Sequence, residues 1–418
     1  MRMIGPKIKK IREQLGLSQK QLAGEDMTRS YISLIEKGRA VPSHRVLKII
    51  ARRLHTPVEF FVGGSAQADN DIAQAVLDKA KACYAAQNDS DCIRIAHKVL
   101  TLTEDISDQS EAYLLILRSY NRLGEYRRTL DEGDLASFTI IQTGDREHIV
   151  AYYLEMGRAA FHAELYHDAR KYYEQAHTYS SRLKHLHHEY ICALTYLGTT
   201  HLRLGNVDEG LGYYIKAEKE ARMTGQAELY GEITMGLGKA YYMSNHEDHM
   251  LLSQDWTKKS VEAYKQANSD SYVLALHNLA VIQLHMGHKK EALGLLNECA
   301  VIYDQRKLPH KKASILEEIS KVYLEENNPE QAESIIKEAL QLLELQDEGM
   351  LRAKLYRLLG IVFHEKNNRD QSYYFLRMSH DLLKRIAASR EADISQQLIR
   401  LSLQEPKMSY EDYKSYIR

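Results

Sequence analysis

The sequence predicts an all-α protein: a small five-helix N-terminal domain followed by a long solenoid of paired helices. Three observations point there. The 418 residues contain only six prolines, none between Val58 and Leu308, and Pro6, Pro57 and Pro329 stand where helices should begin; a proline inside a helix would break it. From Asp71 onward, tight turns carrying Gly or Asn recur, with a mean spacing of 40 residues between Asn88 and Asn368, a period that marks helical arrays. The charge also changes sign along the chain. Residues 1–62 hold 13 Lys and Arg against 5 Asp and Glu, and the rest hold 43 against 52, so the net −1 conceals a basic head on an acidic body. A basic head is the footprint of contact with phosphates.

In the head, Ile4, Ile8, Ile11 and Leu15 form one apolar stripe, and Gly16 stops that helix. Ser18 with Gln21 three residues later makes a capping box for a second helix, with Leu22 and Ala23 inward. Thr28 caps a third helix, whose Ile32 and Ile35 point into the core. Ser43 caps a fourth, with Val46, Leu47, Ile50 and Leu54 inward, and Pro57 starts a short fifth ending in Phe60-Phe61.

This arrangement leaves Arg29, Ser30, Tyr31 and Ser33 on the outer face at the start of the third helix, where a recognition helix meets base edges. Arg29 can donate twice to guanine, and Ser30 and Ser33 suit base or phosphate. Gln19 opens the preceding helix, where a backbone N–H and a side-chain amide can hold a phosphate. Thr28 stands at the same helix start, and Lys20, Lys37, Arg39 and Arg45 are phosphate candidates.

The blocks Leu17-Ser18-Gln19…Leu22-Ala23 and Ser30-Tyr31-Ile32-Ser33…Ile35-Glu36-Lys37-Gly38 resemble the helix-turn-helix of the phage-repressor and Xre class. The turn from Ala23 to Ile32 is one residue shorter than the usual repressor form. Residues 1–62 are therefore expected to bind DNA. Gly63 to Asn70, rich in glycine, small and polar residues, is expected to be a joint, with the repeats in 71–404 and a tail in 405–418.

The body repeats small residues at fixed offsets. Gly157, Gly198, Ala280, Ser320 and Gly360 each head a unit. Twelve residues on come Ala169, Gly210, Ala292, Ala332 and Ser372, and nineteen on come Ala176, Ala217, Cys299, Ala339 and Ser379. At sixteen stand Tyr173, Tyr214, Leu296, Ile336 and Leu376, bulky enough to fill a gap between repeats. Turns are placed at Asn88, Gly124, near Leu165, and at Gly205, Asn245, Gly287, Asn328 and Asn368. The units at 71–104 and 107–142 are degenerate, and an insertion at Asn245–Lys258 carries Trp256. A helix over Ala388–Gln404 should cap about eight pairs. The pattern resembles the tetratricopeptide repeat, which implies a right-handed superhelix with a concave groove lined by the first helix of each pair.

Positions facing that groove carry Glu155, Arg158, His162, Tyr196, Thr199, Arg203, Glu232, Lys239, Tyr242, His277, Asn278, His285, Glu318, Lys321 and Arg357. Those expected to touch a ligand are Arg158, Tyr196, Thr199, Arg203, Lys239, His277, Asn278 and Lys321. An Asn278 amide can donate and accept, and so clamp an extended peptide backbone. Arg158, Arg203 and Lys239 suit a carboxylate.

No catalytic constellation stands out. Met235-Gly236-Leu237-Gly238-Lys239 lacks the spacing and hydroxyl of a phosphate loop. His185-Leu186-His187-His188 has no ligand spacing for a metal, and Cys83, Cys92, Cys192 and Cys299 form no redox or metal motif. No cofactor is expected. The N-terminus lacks a signal-peptide core and no run of about 20 apolar residues spans a membrane, so a cytoplasmic location is expected.

Head and body together resemble the peptide-pheromone receptors of Gram-positive bacteria, the Rap, NprR, PlcR and PrgX group, closest to NprR-like regulators in length and repeat period. The resemblance implies a non-enzymatic transcription regulator that binds double-stranded operator DNA as a homodimer or higher oligomer and is switched by a short signalling peptide. Some members of this architecture instead bind response regulators and promote their dephosphorylation. Here residues 71–142 would be that surface, with Gln74 or Gln87 as a water-orienting glutamine.

Overall fold

The computed structural model describes residues 4–62, 66–181, 183–244, 247–343 and 349–404. Among these the protein is all-α, as the sequence predicts. The head contains α1 (Ile4–Gln14), α2 (Gln19–Ala23), α3 (Arg29–Glu36), α4 (His44–Arg53) and α5 (Val58–Val62). Its caps are those read from the sequence: Ser18 and Gln21 form the reciprocal capping box, and Thr28 and Ser43 accept from Tyr31 and Val46 N–H groups. Ile8, Ile11, Leu22, Ile32, Ile35, Ile50 and Leu54 are at most 2% exposed and form its core.

The body consists of helix pairs: α6 (Ala66–Ala85) with α7 (Asp89–Leu102), α8 (Ile106–Arg122) with α9 (Tyr126–Gln142), α10 (Arg146–His162) with α11 (Tyr166–Ser180), and α12 (His187–Arg203) with α13 (Val207–Ala221). Then come α14 (Ala227–Met243) with α15 (Glu247–Gln266), α16 (Tyr272–His285) with α17 (Lys289–Gln305), α18 (Pro309–Glu325) with α19 (Pro329–Leu342), and α20 (Gly349–Glu365) with α21 (Arg369–Arg385), ending in α22 (Ser389–Gln404). Contacts divide the chain into two compact units, one ending at Glu220 and the other starting at Ala221.

The first unit holds the head and four pairs. The head's core is continuous with that of the first pairs, running from Phe60 and Phe61 into Ile72, Val76, Leu77, Ile95 and Ile116. The expected joint at 63–70 is therefore narrower than composition suggests. Ala66-Gln67-Ala68 are good helix formers and already belong to α6, while 63–65 lie outside the described residues. Two lysines fasten the head from outside. Lys79 Nζ donates to the Leu15 carbonyl at 3.3 Å, and Lys98 Nζ donates to that of Gln14, at the negative end of the α1 dipole.

The second unit holds four pairs and α22. Its core gathers Leu276, Leu296, Ile319, Ile336, Leu359 and Leu376. α22 closes the stack through Leu398, an Arg357–Glu391 ion pair at 2.8 Å and a Ser379–Ser395 hydrogen bond at 3.1 Å. The insertion expected at 245–258 lengthens α15 to 20 residues. That helix packs tightly on α14, with Ser253 and Ser260 donating to the Gly238 and Gly231 carbonyls at 2.8 and 2.9 Å.

The small-residue code explains the pairing. A Cβ on Gly157 would lie 2.5 Å from the Tyr173 ring, and one on Gly360 2.5 Å from Leu376. The bulky residue thus fills the space within its own pair, a role the expectation of a filler between repeats did not include. Tyr173 does both, since its ring also meets Tyr196 of α12 at 5.2 Å. The turns at Gly124, Gly205 and Gly287 fall where expected, and those at Asn88, Leu165, Asn328 and Asn368 lie one residue earlier. The left-handed conformation falls on Gln87, Glu164, Asn327 and Asn367, or on Gly124, Gly205 and Gly287. Asn88, Asn328 and Asn368 instead cap the following helices, accepting from Asp91, Gln331 and Gln371. Asn245 and the tail at 405–418 lie outside the described residues.

Candidate nucleic-acid interface and repeat-face sites

The start of α3 is exposed and positively charged. Arg29 and Ser30 are exposed, Tyr31 and Ser33 half-buried, and Thr28, Lys20, Lys37 and Arg39 exposed. No ion pair among the described residues engages Lys20, Arg29, Lys37 or Arg39. Thr28 spends its hydroxyl on the Tyr31 N–H and so fixes the helix start. Leu34, 43% exposed, shares the face of Ser30 one turn on, an apolar contact the sequence pattern did not flag.

Gln19 is partly engaged. Its amide nitrogen donates to Glu36 Oε2 at 2.8 Å, which leaves its second N–H and its carbonyl oxygen for a partner. Glu36 is in turn held by Arg12, with Nε to Oε1 at 2.5 Å and Nη2 to Oε2 at 3.1 Å, and Arg12 Nη1 donates to the Leu17 carbonyl at 2.8 Å. Both charges are buried. The Glu36 hydrogen bond raises the Arg12 pKa above its ordinary value against the cost of burial. This network joins α1, α2 and α3 and sets how the first residue of α2 is presented. Its only sequence signal is a charge one turn beyond a core isoleucine on each helix, Ile8 to Arg12 and Ile32 to Glu36.

In the first unit, α8, α10 and α12 lie side by side and carry one polar cluster. The Glu155 side chain is 10% exposed. Asn121 Nδ2 donates to Glu155 Oε2 at 2.7 Å and to its carbonyl at 2.9 Å, while the Thr129 hydroxyl donates to Asn121 Oδ1 at 3.1 Å. Two guanidinium groups flank this carboxylate at ion-pair distance: Arg118 at 3.9 Å and Arg158 at 3.7 Å. Burial disfavours the Arg158 cation, but the Glu155 charge and the Tyr196 hydroxyl outweigh it and raise its pKa. Thr199 and Tyr214 share a hydrogen bond of 2.7 Å. Arg203 stands 6.0 Å from the Phe161 ring, and Tyr126 stacks on His162 at 4.7 Å. The structure thus brings Arg158 and Tyr196 together and adds Arg118 and Asn121, which the repeat offsets did not single out.

In the second unit, Asn278 is half-buried with no hydrogen bond to its amide among the described residues, and Lys239 is exposed. His277 Nε2 is buried without a partner, and burial pulls its pKa down even though Glu318 works the other way. Lys321 is less open than expected. Its ammonium sits 2.8 Å from Glu317 and 3.1 Å from Glu318, so its charge is already neutralised. Tyr242 and His285 bond to each other at 2.7 Å. Gln74 is exposed and bonds Asp78 at 3.3 Å, and Gln87 occupies a turn. Among the described residues no His, Cys, Asp and Glu group is placed to hold a metal. No described helix is long and apolar enough to cross a membrane.

The helix-turn-helix family model matches residues 8–61. No curated protein is significantly similar in sequence. Among solved structures, the apo form of RapI is similar to this chain at 12% identity and a TM-score of 0.51, over 67% of this chain and 99% of that one. A Rap protein complexed with Competence and Sporulation Factor is similar at 10% identity and a TM-score of 0.50, over 82% and 99%. A signal-transduction ATPase from Pyrococcus horikoshii with a tetratricopeptide repeat sensor aligns at 16% identity and a TM-score of 0.57, over 87% of this chain and 57% of that one. The likeness shows the fold: a helix-turn-helix head on a tetratricopeptide-type body.

Proposed function

We propose that this chain, which joins a helix-turn-helix domain to a body with the fold of Rap proteins, is a transcription regulator of the peptide-receptor group. It binds operator DNA as a homodimer in the cytoplasm and responds to a short peptide held along the first helices of its repeats. One observation carries the DNA reading: the start of α3 presents exposed Arg29 and Ser30 beside Lys20, Lys37 and Arg39, with none of these cations consumed by an ion pair among the described residues. The peptide reading rests on the repeat-face groups, chiefly Asn278 and the Arg118–Arg158 cluster, and on the Rap protein of similar fold that is complexed with Competence and Sporulation Factor. The peptide acts by binding one conformation of the body better than another, and a coupling of roughly 1–3 kcal/mol suffices for a useful switch.

The alternative, a response-regulator partner using residues 71–142, shares the Rap fold. It is weakened because part of that surface is occupied: Lys79 on α6 and Lys98 on α7 are engaged with the head.

The test is selection of binding sites from a random duplex library by the full-length protein. An enriched site is expected, and Arg29→Ala should flatten the preference at one base pair, a loss of about 1–3 kcal/mol. Lys20→Ala should weaken all sequences alike and reduce the salt slope by about 0.9. Failure to enrich any site, together with binding to a phosphorylated response regulator, would transfer the assignment to the alternative.

A further inference from the structure

We infer that the cluster of Arg118, Arg158 and Glu155 on α8 and α10 is a binding subsite for the C-terminal carboxylate of a peptide. The inference rests on the peptide-receptor reading and deepens it by naming the peptide group that the first unit holds. The two guanidinium groups lie 3.9 and 3.7 Å from the Glu155 carboxylate, too far for good hydrogen bonds, while Asn121 takes one Glu155 oxygen at 2.7 Å. Arg158 spends one donor on the Tyr196 hydroxyl, which leaves the rest of its fork and that of Arg118 to be matched, and a carboxylate is the planar acceptor that fits a guanidinium bidentately.

The charge count agrees. Two arginines face one carboxylate, leaving one positive charge in a partly desolvated setting where an added anion is held more strongly than in open water. Arg118 and Arg158 keep 37% and 44% of their side chains exposed, so the donors are within reach of a ligand. Beside Arg158 lies the Tyr196 ring, suited to the apolar side chain of a terminal residue. The two arginines come from the later turns of α8 and α10, where the helix dipole is negative. That setting favours a monoanion over a phosphate dianion, whose usual site is a helix N-terminus. In the second unit Lys321 is neutralised by Glu317 and Glu318, so the stronger anion site is in the first.

The experiment uses the full-length protein and two pools of random hexapeptides, identical except that one is C-terminally amidated, with retention read by mass spectrometry. The free-acid pool should be retained about tenfold or more over the amidated one. Arg158→Gln and Arg118→Gln should each erase that ratio with unchanged circular dichroism, and Arg158→Lys should restore it only in part. Glu155→Gln, which keeps an acceptor for Asn121 but removes the competing charge, should increase retention of the free-acid pool. Equal retention of both pools would overturn the subsite while leaving peptide binding standing. Displacement of the free-acid pool by equimolar inorganic phosphate would overturn the carboxylate assignment. Retention of neither pool would overturn the subsite and the peptide reading together.

Discussion

Arg12 and Glu36 show what a single residue does in the head. Glu36 is buried with its side chain 2% exposed, and its two oxygens are met by Arg12 and Gln19. Removing one partner of such a pair leaves an uncompensated charge, which costs more than the pair itself contributes. Arg12→Met is therefore expected to destabilise the head by about 3 kcal/mol or more, read as roughly a hundredfold loss of amide-exchange protection in α1 and α3. Arg12→Met with Glu36→Met should recover most of it. Wild-type protection in the single variant would show that the pair is not what holds these helices together. The sequence reveals such features unevenly. The Ser18–Gln21 box spans three residues, and a local rule finds it. Arg12 and Glu36 are 24 residues apart, and helical periodicity registers each only as a charge near an apolar stripe. Lys321 fails for the complementary reason: its position on the helix face is legible, but Glu317 and Glu318 close enough to neutralise it are a matter of side-chain geometry.

Helices α6 and α7 act on the head as one element. Their apolar faces extend its core, and Lys79 and Lys98 seal the carbonyl end of α1. Burial pushes the Lys98 pKa down, with the Arg94 and Lys79 charges adding to it, so three cations crowd one helix end. Each charged donor on a carbonyl contributes about 1.5–3 kcal/mol, and a load on the body that shifts α7 is passed to α1. Lys79→Met with Lys98→Met is expected to raise exchange at Gln14–Leu17 about tenfold or more. It should leave DNA affinity of the head near wild type while blunting any peptide response. An unchanged exchange rate would mean that the shared apolar core alone fixes the head. The sequence marks a glycine-rich joint here but not this docking, because the lysines recognise backbone carbonyls, which no residue pattern encodes. The pairs themselves were legible. Gly157 twelve, sixteen and nineteen residues before Ala169, Tyr173 and Ala176 is a statement about helix contact, and all four are buried. Where length departs from the period, as in α15, only the coordinates show that the extra residues prolong a helix.

At the scale of the molecule, the histidines tie stability to pH. Burial lowers the pKa of His162, His177 and His201 in the first unit, reinforced by Arg158, Lys216 and Arg170 respectively. In the second unit burial lowers that of His277. His201 is 7% exposed with neither ring nitrogen partnered, so its protonation is costly. Each of these rings is neutral in the folded chain at a pH where the unfolded chain, with an ordinary value of 6.5, already binds a proton. The unfolded state therefore takes up more protons as pH falls below about 6.5, and stability drops with acidification and is fully present above that value. Three of the four groups belong to the first unit, which should lose more. Trp256, the one tryptophan, lies on α15 under Lys259 at 3.6 Å and reports the second unit by fluorescence, while amide exchange in α10–α13 reports the first. Between pH of about 7.5 and about 5.5, protection in α10–α13 should fall more steeply than the denaturation midpoint at Trp256, and His201→Leu should flatten the slope for the first unit. Equal slopes, or stability that rises on acidification, would mean that these rings gain partners on protonation and do not govern the acid response.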